Sequence, residues 1–185
     1  MSTVEAYASK IPLLAETAGK PGQLGIVVRS MEDALASWGA EGHFAPGWRL
    51  WTYSPNTVEE LIYRGQPGRF SMRIALGGTA PQVELIEPID GPSIYHEWLQ
   101  QHGPGLHHIG FYVSDLRASI ARMVARGFPL AQSGVGTGRD GTGGFAYFDT
   151  VEVLGYFVEA IVVPTLRRPP EAVWPRVDLA AGSAS

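Results

Sequence analysis

The residues of this chain best suited to chemistry are two glutamates and two histidines set in apolar surroundings. Glu84 lies in "PQVELIEP" (81–88) and Glu159 in "LGYFVEAIVVP" (154–164), each flanked by apolar residues. A carboxylate in the middle of an apolar strand is costly to bury unless it is paired or bound to a cation. His107 and His108 stand side by side in "GLHHIGFYV" (105–113), an alternating stretch that reads as a strand. Successive strand residues point to opposite faces, so only one imidazole can share a cavity with the carboxylates. Carboxylates and an imidazole together can hold a divalent ion or move a proton to and from carbon.

An internal repeat chooses between the histidines and adds a fourth residue. "QLGIVVRSMEDALASW" (23–38) aligns without a gap on "HIGFYVSDLRASIARM" (108–123), Gly25 falling on Gly110 at an offset of 85 positions. His108 is therefore in register with Gln23, and His107 falls on the other side as a half-exposed strand residue. Each copy reads as a strand, a polar turn and an amphipathic helix. Ser30 and Asp115 are the expected helix N-caps, and Leu116, Ile120, Met123 and Val124 form the expected apolar face of the second helix. Two further strands follow in each copy: 70–78 with 81–88, and 143–150 with 154–164, separated by Gly-rich breaks that read as hairpin turns. There the offset is 75 positions, Glu84 falling on Glu159. The extra residues of the first half lie in its middle.

The chain thus divides into a lead segment (1–21), a first βαβββ module (22–92), a linker helix (93–104), a second βαβββ module (105–164) and a Pro-rich tail (165–185) that wraps and ends frayed. Ser93 caps the linker helix in this reading and Gly103 ends it. If the modules pack by pseudo-twofold symmetry, Gln23, Glu84, His108 and Glu159 converge on one cavity. Such oxygen and nitrogen donors suit Zn²⁺, Ni²⁺, Co²⁺, Mn²⁺ or Fe²⁺. Glutamates on half-exposed strands that face solvent fit the spacing equally well.

With 45% hydrophobic and 17% charged residues, the 185-residue chain can bury a core. A net charge of −4 and the lack of a basic run beyond Arg167-Arg168 argue against nucleic acid as a partner. No apolar run reaches the roughly 18 residues of a membrane span. The N-terminus lacks the pattern of a signal peptide, so the expected location is cytoplasmic. The absence of cysteine removes thiolate sites and disulfides.

The paired modules "QLGIVV…VELIEP" and "HIGFYV…GYFVEAI" resemble the vicinal oxygen chelate superfamily, which includes glyoxalase I, methylmalonyl-CoA epimerase, extradiol dioxygenases and bleomycin-resistance proteins. The stretch "GPSIYHEWLQQHGPGLHHIGFYV" is most similar to the epimerase branch. The resemblance implies an α+β fold, two tandem βαβββ modules forming a cup-shaped mixed sheet around a divalent metal ion, and a homodimer. It implies Gln23, Glu84, His108 and Glu159 as metal ligands. Gln23 departs from the histidine usual in epimerases, but the four residue types match eukaryotic-type glyoxalase I. Epimerases carry a further glutamate upstream of the third-strand ligand, in the first half; Glu59 and Glu60 lie in the corresponding region, and the resemblance does not assign the role to either.

The implied function is an isomerase, epimerase or lyase that abstracts a proton next to a carbonyl and stabilises an enolate. Glu159 is then the first candidate base and Glu84 the second. Trp51, Tyr53, Phe70, Met72, Trp98, Phe145 and Tyr147, with Trp48 and Tyr95, are the expected rim of the cup. They imply a small-molecule substrate that is bulky and apolar or carries an acyl chain. Arg69 and Arg73 flank the cup strand, either solvated or facing an anion. "GVGTGRDGTGG" (134–144) is followed by a strand, which fails the context of a phosphate loop and makes it a connection over the cup. The alternative reading is a metal-free binding protein of the resistance type. An Fe²⁺ dioxygenase comes last, because Gln23 stands where such a site would place a second histidine.

Overall fold

The computed structural model describes residues 11–17, 19–39, 45 and 47–175. Most of the lead segment and the expected frayed end (176–185) lie outside the described residues. In chain order the elements are α1 (Pro12–Glu16), β1 (Gln23–Val27), α2 (Met31–Gly39), β2 (Trp48–Tyr53), β3 (Glu60–Tyr63), β4 (Gln66–Pro67), β5 (Ser71–Gly77) and β6 (Gln82–Asp90). They continue with α3 (Ile94–Gln101), β7 (Gly105–Tyr112), α4 (Leu116–Ala125), β8 (Leu130–Val135), β9 (Gly144–Phe148), α5 (Val151–Leu154), β10 (Phe157–Val162) and β11 (Ala172–Trp174).

All strands join one mixed sheet in the order β11-β2-β5-β6-β1-β7-β10-β9-β8-β3-β4. Each half has the same plan. The first strand runs parallel to the last, β1 beside β6 and β7 beside β10, and the halves meet where β1 and β7 pair antiparallel. This is the expected α+β fold of two βαβββ modules. The residues after β2 depart from a simple repeat. They form the β3–β4 hairpin, which leaves its own half and pairs through β3 with β8 of the other. Its turn places Arg64 at a φ of 48°, an uncommon conformation for a side-chain-bearing residue. Ion pairs from Arg64 to Glu97 (2.6 Å) and Asp149 (2.9 Å) hold it there.

The helices start where the sequence places their caps. Ser30 Oγ accepts from the Asp33 amide (3.2 Å), Ser93 Oγ from the His96 amide (3.3 Å) and Asp115 Oδ1 from the Ala118 amide (3.0 Å). Each cap satisfies a donor that has no partner inside its helix. Around α4, Met123 is buried and Leu116 and Ile120 are half-buried against the sheet, but Val124 is exposed. Its position, one residue past Met123, carries it off the packed stripe. The expected hairpin between β9 and β10 is instead made through the short helix α5, ended by Gly155. The loop after β8 is a hairpin joined by Gly136 N to Gly143 O and Gly138 N to Thr142 O. Among the described residues no helix is long and apolar enough to cross a membrane.

Candidate metal centre

The strand register brings the repeat's polar residues to the seam between the halves. Across β1 and β7, Gln23 faces Gly110 and Gly25 faces His108. Within each half, Gly25 lies beside Glu84 and Gly110 beside Glu159. Each glycine therefore sits between a first-strand residue of the other half and a last-strand glutamate of its own. A β-carbon at Gly25 would fall inside the His108 imidazole, and one at Gly110 would lie 2.9 Å from Glu159 Oε2. The absence of a side chain at these two positions is what lets the polar groups crowd together.

His108 and Glu159 are almost wholly buried, as are Gln23 and Glu84. His108 Nε2 lies 3.2 Å from Glu159 Oε2 and 3.4 Å from Glu84 Oε2, and one donor atom from each of the three residues falls within 4.8 Å of the others. Neither His108 Nε2 nor Glu159 Oε2 has an aligned hydrogen bond. Burial opposes charge on His108, but the Glu159 and Glu84 carboxylates outweigh it and push the imidazolium up to about 9. Burial, reinforced by the charge of Glu159, raises Glu84 above the usual carboxylate range despite the opposing effect of His108. Two carboxylates and one imidazole, with orphaned buried donor atoms and the Gln23 amide lining the same cavity, are a donor set that a divalent ion fits.

His107 corrects the alternation argument. It is fully buried, not half-exposed, and its ring lies against the same Tyr147 ring as that of His108, with centroids 5.8 and 5.0 Å away. The pairing of β7 with β1 slips between Gly25 and Ile26, whose partners are His108 and Leu106, so His107 is the extra residue of a β-bulge. A bulge breaks the two-residue period of side-chain direction. His107 Nδ1 thereby comes within 3.1 Å of His108 Nδ1. Burial first, and then the charge of His108, lowers its pKa well below the ordinary imidazole value. Burial thus favours its neutral form, with Nδ1 in hydrogen-bonding reach of His108.

The cavity beside these groups encloses about 60 Å³. Tyr53, Met72, Phe145 and Tyr147 form part of its wall, as does Tyr95, whose hydroxyl lies 3.1 Å from that of Tyr147. The other expected rim residues do not reach it. Trp51 is buried at the sheet edge and donates through Nε1 to Arg168 O (2.9 Å). Phe70 fills the core, its ring edge-on to Tyr95. Trp98 packs against His102, His107 and Phe157, and Trp48 belongs to the core under α2. Trp51, Phe70 and Trp98 share one core with Tyr95, Phe145 and Tyr147, and aromatic type marks a residue as core-forming without saying how close to the cavity it comes. Arg73 is tied to Glu32 and Glu87, both at 2.6 Å, and Arg69 is exposed. Glu59 and Glu60 are exposed on the excursion that pairs with β8, away from the cavity wall. The wall also holds Gln82, Tyr112, Thr137 and Arg167, none of which the sequence singled out. Thr137 sits in the Gly-rich connection, and Arg167 comes from the tail, which has no counterpart in the repeat.

Residues 22–148, more than half of the chain, match the model of the Glyoxalase/Bleomycin resistance protein/Dioxygenase superfamily, and the chain belongs to that superfamily. Among solved structures it is similar to methylmalonyl-CoA epimerase from Mycobacterium tuberculosis, with 20% identity over 82% of this chain and 89% of that one and a TM-score of 0.55. It is also similar to a variant of the Streptomyces coelicolor methylmalonyl-CoA epimerase in complex with 2-nitronate-propionyl-CoA, with 18% identity, 77% and 96% coverage and a TM-score of 0.53. A methylmalonyl-CoA epimerase in complex with methylmalonyl-CoA and NH4+ gives 17% identity, 81% and 98% coverage and a TM-score of 0.54. At these identities the likeness is one of fold. No curated protein sequence matches the chain.

Proposed function

We propose that this chain is a divalent-metal-dependent isomerase or epimerase that moves a proton next to a carbonyl, with elimination as the outcome where the substrate carries a leaving group. The observation that carries this reading is the meeting of Glu84, His108 and Glu159, all three buried, within 4.8 Å of one another. With Gln23, these residues would hold the ion. Bound there, it supplies Lewis acidity that lowers the cost of negative charge on a substrate oxygen.

The chain's own groups do the rest. Glu159 and Glu84 reach the cavity from opposite halves, so one can take a proton from carbon and the other return it. Burial raises the proton affinity of Glu84, which suits a carboxyl that must accept a proton near neutral pH. Met72, Ile74, Leu76 and Phe145 give the wall an apolar part that limits water. A volume of about 60 Å³ admits a small reacting group and leaves the bulk of a larger substrate at the mouth. The acyl-CoA ligands of the structural neighbours agree with an acyl substrate of that shape.

The test is hydrogen–deuterium exchange at the α-carbon of a panel of 2-substituted acyl thioesters, followed by NMR on metal-loaded protein. Exchange in the wild type that is lost in Glu159→Gln supports the proposal. A wild type that binds a panel member yet exchanges no proton contradicts it and favours a binding protein.

A further inference from the structure

We propose that the C-terminal tail completes the cup by carrying Arg167 to its mouth, where the guanidinium binds an ionised carboxylate of the substrate. This rests on the reading of the cavity as the substrate site and narrows the substrate to an acid.

The tail is fastened to both halves of the molecule. On one side, Thr165 N donates to Thr142 Oγ1 (2.8 Å), and the Arg139 amide donates to Leu166 O (2.9 Å), tying the tail to the loop between β8 and β9. On the other, Trp51 Nε1 donates to Arg168 O (2.9 Å), and the Glu171 carboxylate accepts from Thr52 N (3.0 Å) and Thr52 Oγ1 (2.8 Å). The Glu171 amide then donates to Leu50 O (2.9 Å), and β11 pairs with β2. Arg167 lines the cavity between these two anchors, and Val163 and Pro164 line it just ahead of the first.

Arg167 is the one cation among the residues that line the cavity. Its guanidinium carbon lies 5.6 Å from the centroid of the Trp51 ring. No ion pair to a carboxylate holds it among the described residues, whereas Arg64, Arg73 and Arg122 are each so held. Its charge is felt at Glu84 and at Tyr53. The electrostatics point the same way. Two carboxylates and one divalent ion would sum to zero, and an anion would gain nothing by entering; Arg167 leaves the site net positive by one charge. A planar guanidinium on an aromatic face, with its fork free, is suited to a carboxylate.

The experiment uses the full chain, first titrated with Zn²⁺ or Mn²⁺ and then with malonate, its uncharged analogue malonamide, or inorganic phosphate, read by calorimetry. The wild type is expected to bind malonate and to discriminate against malonamide. Arg167→Ala should weaken malonate binding about 10- to 100-fold, the worth of charge-assisted hydrogen bonds, with metal affinity held within about threefold. Arg167→Lys should fall between, since it keeps the charge and loses the fork. Glu171→Ala removes the side-chain ties from the tail to Thr52 without touching the cavity and should also weaken malonate. Equal malonate affinity in wild type and Arg167→Ala, or a preference for phosphate over malonate, would overturn the inference. A wild type that takes up the ion but does not distinguish malonate from malonamide overturns the role of Arg167 alone; one that takes up no ion contradicts the proposed function instead.

Discussion

At the scale of single residues, Glu159 and His108 carry the account. Glu159→Gln keeps the size of the side chain and removes the base, so α-proton exchange should fall about 10²- to 10⁴-fold, measured by NMR. Retained exchange would move the base to Glu84. In the metal-free protein the carboxylates hold a proton on His108 up to about pH 9, whereas a metal ligand must give that proton up. Metal binding at pH 7 should therefore release about one proton per ion, visible as a binding enthalpy that changes with the buffer; a buffer-independent enthalpy would contradict it. The stability of the metal-free protein follows the same group. His108 has a folded value above the ordinary 6.5, so its contribution is fully present below about pH 6.5 and is lost as the pH rises through about 9. Urea melts across that window should show the decline, and saturating metal should remove it. His107 acts through its neighbour. With its Nδ1 3.1 Å from His108 Nδ1, it orients the imidazole, and His107→Phe should weaken metal binding about 10- to 100-fold while the fold is kept.

At the scale of elements, the site is a product of strand register. Gly25 and Gly110 face the proposed ligand residues across and along the seam, and a methyl group at either has no room. Gly25→Ala should displace the His108 ring, cost about 1–3 kcal/mol in stability and weaken metal binding by more than about tenfold. Denaturant titration and calorimetry check the two effects separately. The strands and caps were legible because their signals are local: the 85-position repeat placed β1 on β7, and Ser30, Ser93 and Asp115 each cap the helix they precede. Glu84 and Glu159 stood out because the repeat put two carboxylates in one place. His107 was not legible, because a bulge is set by how two strands pair and leaves no mark on the alternation of one of them. Trp51, Phe70 and Trp98 share a core with Phe145 and Tyr147, and aromatic type does not tell which members of that core reach the cavity.

At the scale of the whole molecule, the seam between β1 and β7 joins two similar halves, and the proposed ligand set is complete only when they meet. Gln23 and Glu84 come from one half, His108 and Glu159 from the other. Two connections brace that meeting: β3, which crosses to β8, and the tail, which runs from the loop after β8 to β2. Neither has a counterpart in the repeat, which is why the sequence marked one as an insertion and the other as a wrap without placing Arg167 at the cavity. An ion that joins both halves binds the folded state alone, so saturation at about 100 times its dissociation constant should add about 2.7 kcal/mol of stability. Whether the seam holds a metal ion is read most simply by elemental analysis of the purified chain beside a His108→Ala, Glu159→Gln double variant. About one divalent ion per chain is expected in the wild type and none in the variant. A wild type that takes up no ion after incubation with Zn²⁺, Ni²⁺, Co²⁺, Mn²⁺ and Fe²⁺ would contradict it.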